Sequence, residues 1–358
     1  MKINFILPPN GNHPVGGFKI VFQYANQLAR LGHDVHLSFL NDLYPEKKTK
    51  LRVFLSFVKK KLFRIGRESE ITWFNLDKRI SLHFNVMFER ELPKADIIIA
   101  TAAQTAVWIK GISDTYGDKF YFIQGYETWA YPEARLVETF KNSITKIVVA
   151  KWLYDIVIKY SKKVYVIPNF LDDSVYYKHQ DLNNRGNTIS MLFHEEPQKN
   201  TEFGLAVLAI VKKKIPDLEV KLFGVFDEPK DLPDYVAYYK SPSQVKLRDE
   251  IYGTSKVYLL PSLSEGWGLT GMEAMKSGAV LISSRINGIL EYACSEKNAV
   301  LINPNDLVAF VNETVSILQN EDLRLRLATT AINDISRYSV SNSTDTLLKV
   351  LSKNGKRY

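Results

Sequence analysis

Cysteine is almost missing from this chain: among 358 residues there is one, Cys294. A lone thiol excludes an intrachain disulfide, and nothing else argues for secretion. Cys294 itself is expected to be a small buried or neutral residue rather than a nucleophile. Long apolar runs are missing too, so no segment reads as a membrane span. The opening residues, MKINFILPPNG, carry one lysine and a short apolar stretch without a signal-peptide cleavage region. They read as a first β-strand. No short-period repeat, low-complexity tract or nucleic-acid-binding motif is present. What is left is a soluble globular pattern. A hydrophobic content of 46% against 24% charged residues is ordinary for that class, and 358 residues suit two domains.

The net charge of +8 is unevenly spread. Lys47, Lys48, Lys50, Arg52, Lys59, Lys60, Lys61, Arg64 and Arg67 fall in one short stretch, interleaved with large apolar residues such as Phe54, Phe57 and Phe63. Such interleaving suits an amphipathic helix lying on anionic lipid. It suits equally a basic helix packed by its apolar face onto the domain.

The stretch with the most chemistry is Val257 to Glu291, VYLLPSLSEGWGLTGMEAMKSGAVLISSRINGILE. Val257 to Leu260 reads as a buried parallel strand. Ser264 to Gly268 is a glycine-punctuated loop, Leu269 to Ser277 a helix capped by Gly278, and Ala279 to Ile282 the next strand. Gly266, Gly268 and Gly271 allow a ligand to approach the backbone. The amides at the helix start, around Gly268, Leu269 and Thr270, favour an anion such as a diphosphate. Glu265 in the loop and Glu273 one turn into the helix can accept hydrogen bonds from vicinal sugar or ribose hydroxyls. An ordinary strand-to-helix connection shares much of this pattern.

Three further matches separate the two readings. E-G-W-G-L-T-G-M-E resembles the E-x7-E signature of family 4 glycosyltransferases, which transfer sugars from nucleotide donors. Asn287 to Glu291 resembles the G-G-x-x-E turn that follows it. Asn298 to Asp306 resembles the next strand and loop. The resemblance implies an α/β chain of GT-B fold, with two Rossmann-like doubly wound domains facing across a cleft. It places the donor mainly on the second domain and the acceptor on the first.

The rest of the chain fits that order. Lys2 to Leu7, a turn-rich loop, an amphipathic helix from Phe18 to Leu31 and a strand from Val35 to Leu40 make the βαβ opening of a doubly wound domain. Gly16 and Gly17 would bring amides to the donor phosphates or the acceptor. Residues 71–84 give no clear pattern. Strands are expected at Ala95 to Ala100, Lys119 to Gln124, Ile144 to Ala150 and Val164 to Ile167. Helices are expected at Thr101 to Lys110 and Trp152 to Lys159. Where many family members carry a histidine facing the acceptor, this chain has Gln124, with Tyr126 and Glu127 nearby. That Q-x-Y-E run resembles a rhamnosyltransferase branch. Trp129 is expected to pack in the core. Asp172 marks the end of the first domain (1–172), and 173–187 a linker.

The second domain is expected over 188–337, with 338–358 a helix crossing back to the first. Its strands are read at Thr188 to Phe193, Glu219 to Gly224 and Tyr235 to Tyr239. Helices are read at Asn200 to Lys214, Ser243 to Tyr252, Leu307 to Leu318 and Leu323 to Arg337. The family's G-R-x-x-P-x-K run, whose Arg and Lys grip the diphosphate, appears here with Lys199 in place and His194 where Arg stands. Arginine is always charged and forks onto phosphate; histidine is only partly charged at neutral pH. A protonated His194 beside a diphosphate would still help. Gly224 resembles a glycine near the nucleotide, and Trp267 lies within the donor loop.

By resemblance, Lys199, His194 and the amides at Gly268 and Leu269 would stabilise the leaving diphosphate. Glu273 would hold the ribose and Glu265 the transferred sugar. Glu291 would support the pocket or serve as a structural carboxylate. No D-x-D motif is present, so no metal or other cofactor is expected. The implied reaction is hexosyl transfer with retention, from a dTDP-, UDP- or GDP-linked sugar to a saccharide or lipid-linked acceptor in surface polysaccharide synthesis. The expected location is the cytoplasm, with residues 47–67 on the inner face of the plasma membrane. Two other readings remain: a non-catalytic donor-binding partner of another transferase, and a sugar-nucleotide epimerase.

Overall fold

The computed structural model describes residues 1–42 and 70–354. The basic stretch 47–67 and its lipid-facing reading lie outside the described residues. The chain divides into two units, Met1–Pro168 with the segment from Ser341 onward, and Asn169–Val340.

In the first unit short apolar runs form a parallel sheet. Its strands are β1 (Lys2–Leu7), β2 (Asp34–Leu40), β3 (Ser81–Val86), β4 (Ile97–Ala100), β5 (Asp118–Ile123), β6 (Thr145–Val148) and β7 (Val164–Val166). They lie in the order β3-β2-β1-β4-β5-β6-β7. All four residues of β4 are buried, as expected of a strand covered on both faces. Helix Gly16–Arg30 follows β1 and buries Ile20, Val21, Tyr24 and Leu28. This is the stripe that its 3.6-residue period dictates. Helix Glu133–Lys141, not anticipated from the sequence, buries Leu136 and Phe140. Helix Val340–Asn354 continues into this unit, and Ser343 Oγ donates to the Pro168 carbonyl at 3.0 Å.

The second unit repeats the plan with β8 (Thr188–Leu192), β9 (Glu219–Gly224), β10 (Val236–Lys240), β11 (Val257–Leu260), β12 (Val280–Ser284) and β13 (Val300–Ile302). The order is β10-β9-β8-β11-β12-β13, with every recorded pair parallel. The core lies between this sheet and its helices. Ile189, Val220, Leu259 and Ile282 come from strands, and Val207, Val211, Phe310 and Leu327 from helices. In each sheet the chain works outward in one direction and then in the other. The reversal falls between β1 and β4 in the first sheet and between β8 and β11 in the second. Loops at the carboxyl ends of such strands part there and leave a crevice for a ligand.

Several details differ from the sequence reading. The segment 173–187 counts with the second unit instead of standing apart as a linker. Arg185 explains the difference. Its guanidinium is buried and donates to the carbonyls of Ser255 and Ser277 at 2.7 Å each, and of Tyr252 at 3.3 Å. Burial lowers its pKa to about 10. The polar composition that suggested a linker conceals this pin. Residues 71–84, unassigned from sequence, include the first part of β3, which begins at Ser81. The expected helix Ser243 to Tyr252 is α-helical only over Gln244–Lys246 and becomes a π-helix over Leu247–Tyr252. Cys294 is exposed rather than buried.

Replacing Arg185 should therefore cost stability without touching any loop at the carboxyl ends of the strands. Arg185→Ala is expected to destabilise the second unit by about 3 kcal/mol, because three buried carbonyls lose their donor. Arg185→Lys should recover little, since one ammonium cannot replace the fork. Urea unfolding followed by circular dichroism measures both.

Candidate functional site

Gly16 and Gly17 after β1, His194 and Lys199 after β8, and Glu265 after β11 lie on loops of the switch-point strands. In the second unit, the chain leaving β8 passes His194 and forms the 3-10 turn Pro197–Lys199. Asn200 ends that turn in the left-handed region, at φ 56°. Its side-chain amide donates to the Pro261 carbonyl at 3.1 Å and to Asn305 Oδ1 at 2.9 Å. The Leu263 amide donates to the Gln198 carbonyl at 2.8 Å. The loops after β8 and β11 are thus stitched together by one backbone bond and the Asn200 side chain.

The stitching brings Lys199 onto Glu265. Lys199 Nζ lies 2.8 Å from Oε1 and 3.0 Å from Oε2, and Ser262 Oγ donates to Oε1 at 2.9 Å. The side chains of Lys199 and Glu265 are 22% and 11% exposed, so the pair is largely desolvated yet reachable. Ser262 is itself buried and was not singled out from the sequence. A serine three residues before a glutamate in a loop carries no periodic signal.

Gly268 turns the loop into helix Leu269–Lys276 at φ 82°. A Cβ there would lie 2.4 Å from Ile289 Cδ1, so close packing and conformation both demand glycine. The Gly268 carbonyl accepts from the buried Tyr292 hydroxyl at 2.7 Å. Gly268 brings no capping side chain, which leaves the first amides of the helix, at Leu269 and Thr270, suited to an anion. Gly224 serves a different end. A Cβ would stand 2.4 Å from the Phe193 carbonyl oxygen, so glycine allows the chain to pass close to the end of β8.

Other expected donor residues are more enclosed. Trp267 is buried at 3% exposure, its indole N–H donates to Met272 Sδ, and its ring packs on Tyr292 and Tyr338. Its side chain therefore shapes the loop from inside rather than facing a ligand. Glu273 is 4% exposed and accepts from Tyr252 Oη at 3.3 Å, with Tyr176 as a second phenol partner. Tyr252 ends the π-helix, and irregular helical turns of that kind recur at functional sites. Glu291 is half-buried, and its backbone carbonyl accepts from Tyr338 Oη at 2.7 Å.

His194 departs from the expected cationic role. Burial is the main cause holding its pKa below the usual histidine value; Lys199 adds to this, while Glu196, Glu265 and Glu195 oppose it. Its Nδ1 accepts from the Glu196 amide at 3.1 Å, which leaves the proton on Nε2. Its ring stands edge-on to Phe226 at 4.9 Å. Burial and the Glu196 amide bond to Nδ1 both favour the neutral imidazole with its proton on Nε2.

In the first unit, helix Gly16–Arg30 begins at Gly16, and the Gln124 side chain lies against Gly17. Gln124 Nε2 also reaches the Thr101 carbonyl at 3.4 Å. Glu127 is buried, and its carboxylate accepts from the Ala103 amide at 2.6 Å, capping helix Ala103–Lys110 from a distant loop. Burial raises its pKa to about 7. Tyr126 donates to Glu133 Oε1 at 2.7 Å. Trp129, expected in the core, is 61% exposed. Ala130 and Tyr131 take the inward places of this turn.

Parts of the chain, and its fold, are similar to known proteins. Residues 177–334 match the family model for glycosyl transferases group 1, which covers most of the second unit and less than half of the chain. A curated relative is the GtfA subunit of the UDP-N-acetylglucosamine–peptide N-acetylglucosaminyltransferase of Streptococcus parasanguinis. It is 31% identical over 111 residues, covering 29% of this chain and 22% of the relative. The chain spans about a quarter of the length of the first curated relatives it matches. Solved structures match along the whole chain. Sucrose-phosphate synthase from Thermosynechococcus elongatus superposes with a TM-score of 0.74 at 15% identity over 99% of both chains. Anabaena Alr3699/HepE, solved with UDP-glucose, gives 0.73 at 13% identity over 98% of this chain and 99% of its own. With the two parallel sheets, these neighbours show the GT-B fold class anticipated from the sequence.

The Glu127 carboxyl sets a pH dependence. Its folded pKa of about 7 exceeds the ordinary 4.5, so the folded state binds the proton more tightly. Its favourable contribution is full below pH 4.5 and is lost as pH rises through about 7. Glu127→Gln keeps an acceptor for the Ala103 amide and removes the charge. The variant should flatten this part of the stability–pH curve and gain roughly 2–3 kcal/mol at pH 8. Thermal unfolding between pH 4.5 and 8.5 checks the slope.

Proposed function

We propose that this chain is a glycosyltransferase that moves a sugar from a nucleoside-diphosphate donor to a saccharide acceptor. The donor would sit on the second unit and the acceptor at the switch point of the first. The Lys199–Glu265 pair at the β8–β11 switch point, beside the glycine-led start of helix Leu269–Lys276, carries this reading. A leaving diphosphate needs preorganised positive charge and amides where its own charge grows. A sugar needs a carboxylate beside that point. Both are present within one stitched pair of loops. The neighbour solved with UDP-glucose supports a sugar-nucleotide donor.

In this reading Lys199 and the amides of Leu269 and Thr270 take the diphosphate, and His194 donates through Nε2 as a neutral partner. Glu273, oriented by Tyr252 and Tyr176, takes the ribose. Protein groups rather than a metal meet the charge. The E-x7-E spacing supports placement in family 4 and hence transfer with retention. Glu265 is an unsuited nucleophile while Lys199 engages both its oxygens and Ser262 one of them. A same-face route, in which the leaving phosphate takes the acceptor proton, fits better. Gln124, Tyr126 and Glu127 frame the acceptor side. A lipid-linked saccharide in surface polysaccharide synthesis, and dTDP-rhamnose as donor, complete the proposal at its finest grain.

The test is a thermal-shift panel of UDP-, GDP- and dTDP-linked sugars. A donor at about 100 times its dissociation constant adds about 2.7 kcal/mol to stability. One class of donor is expected to raise the transition. Glu273→Gln, which keeps an acceptor for the two phenols, should weaken that donor about tenfold. Absence of a shift with every donor would reject the donor site and this reading with it.

A further inference from the structure

We propose that Lys199, Glu265 and Ser262 form a latch that makes the site discriminate a sugar-linked nucleoside diphosphate from the free nucleoside diphosphate. The inference rests on the donor site proposed above and adds a mechanism of selection to it.

Three observations carry it. The ammonium and carboxylate are paired two-to-one, at 2.8 and 3.0 Å, in a largely desolvated position. Their loops are fixed to each other by the Leu263–Gln198 backbone hydrogen bond and by the Asn200 side-chain amide on the Pro261 carbonyl. Both charged groups sit at the ends of side chains, so they can part without moving either loop. Ser262 holds one carboxylate oxygen at 2.9 Å independently of Lys199. Glu265 therefore keeps its place when the lysine leaves.

The energetics follow from charge. A diphosphate draws the ammonium away from Glu265. That leaves a carboxylate with one serine donor, beside a polyanion, in a site that water reaches poorly. An uncompensated charge in such a place is costly. A free nucleoside diphosphate carries nothing to offset it. A sugar-linked one brings hydroxyl donors to the carboxylate, and these replace the lost ammonium. Phosphate recognition and sugar recognition are thereby coupled through one ion pair. After transfer the sugar is gone, Glu265 reclaims Lys199, and the nucleoside diphosphate is released. Ser262 is a positioning residue in this scheme.

The experiment is calorimetric titration with UDP, GDP and dTDP, each free and as UDP-glucose, GDP-mannose and dTDP-rhamnose. The proteins are wild type, Glu265→Gln, Lys199→Ala and the double variant, each checked for a native circular dichroism spectrum. Wild type should prefer the sugar-linked form. Glu265→Gln is isosteric and frees the ammonium, so the free diphosphate should bind about tenfold tighter and the preference should vanish. In the Lys199→Ala background the same change should have little effect, which separates a latch from the mere removal of a negative charge. Ser262→Ala should reduce the preference without raising affinity for the free diphosphate as far. The latch is overturned if Glu265→Gln binds the free diphosphate no tighter than wild type, or tightens it equally without Lys199. In either case binding by wild type still stands for the donor site. If no protein in the series binds any nucleotide, the donor reading falls together with the latch.

Discussion

Two neighbouring strands of the second sheet, β8 and β11, send their chains in opposite directions, and a salt bridge spans the gap they leave. The Lys199–Glu265 pair depends on that reversal, because only there do two loops from non-consecutive strands face each other. The rest of the unit keeps them in register. β8 and β11 pair in parallel from Val257 with Ile189 onward. Arg185 ties the entry of the unit to the carbonyls before β11 and at the end of helix Leu269–Lys276. The left-handed Asn200 closes the lysine's turn, and Gly268 opens the helix within contact distance of Tyr292. A charged pair this dry needs such rigidity, since a loose geometry would not offset the desolvation of two ions.

The same architecture recurs in the first unit with different chemistry. There the loops hold Gly16, Gly17 and the neutral Gln124, and a buried carboxyl, Glu127, caps a helix from the loop after the neighbouring strand. The second switch point instead holds the Lys199–Glu265 ion pair. In a sugar transferase the distribution is physically reasonable: the leaving group is anionic, whereas the incoming hydroxyl is not.

The parts legible in the sequence were those with a period or a glycine. Nearly every strand of both sheets could be read from apolar runs such as IIIA of β4 or VYLL of β11, because strands buried on both faces leave no alternation to confuse. The loop around Gly266 and Gly268 and the pair Glu265 and Glu273 stood out by spacing. What failed was whatever depends on three-dimensional neighbours. Trp267 is buried and Trp129 exposed, the reverse of what was expected, because indole burial follows the turn each occupies and not its identity. Arg185 looked like a linker residue, since one buried cation in a polar run has no sequence signal. Ser262, Tyr176 and Tyr252 were invisible for the same reason. The neutral state of His194 follows from burial, which no motif reports.

The central claim is that Lys199 meets the diphosphate of a sugar nucleotide. Steady-state release of nucleoside diphosphate, measured for wild type and Lys199→Ala with the donor that binds, tests it most directly. Loss of one preorganised donor to a developing charge predicts a fall in turnover of about a hundredfold or more. Turnover by Lys199→Ala at the wild-type rate would contradict the assignment.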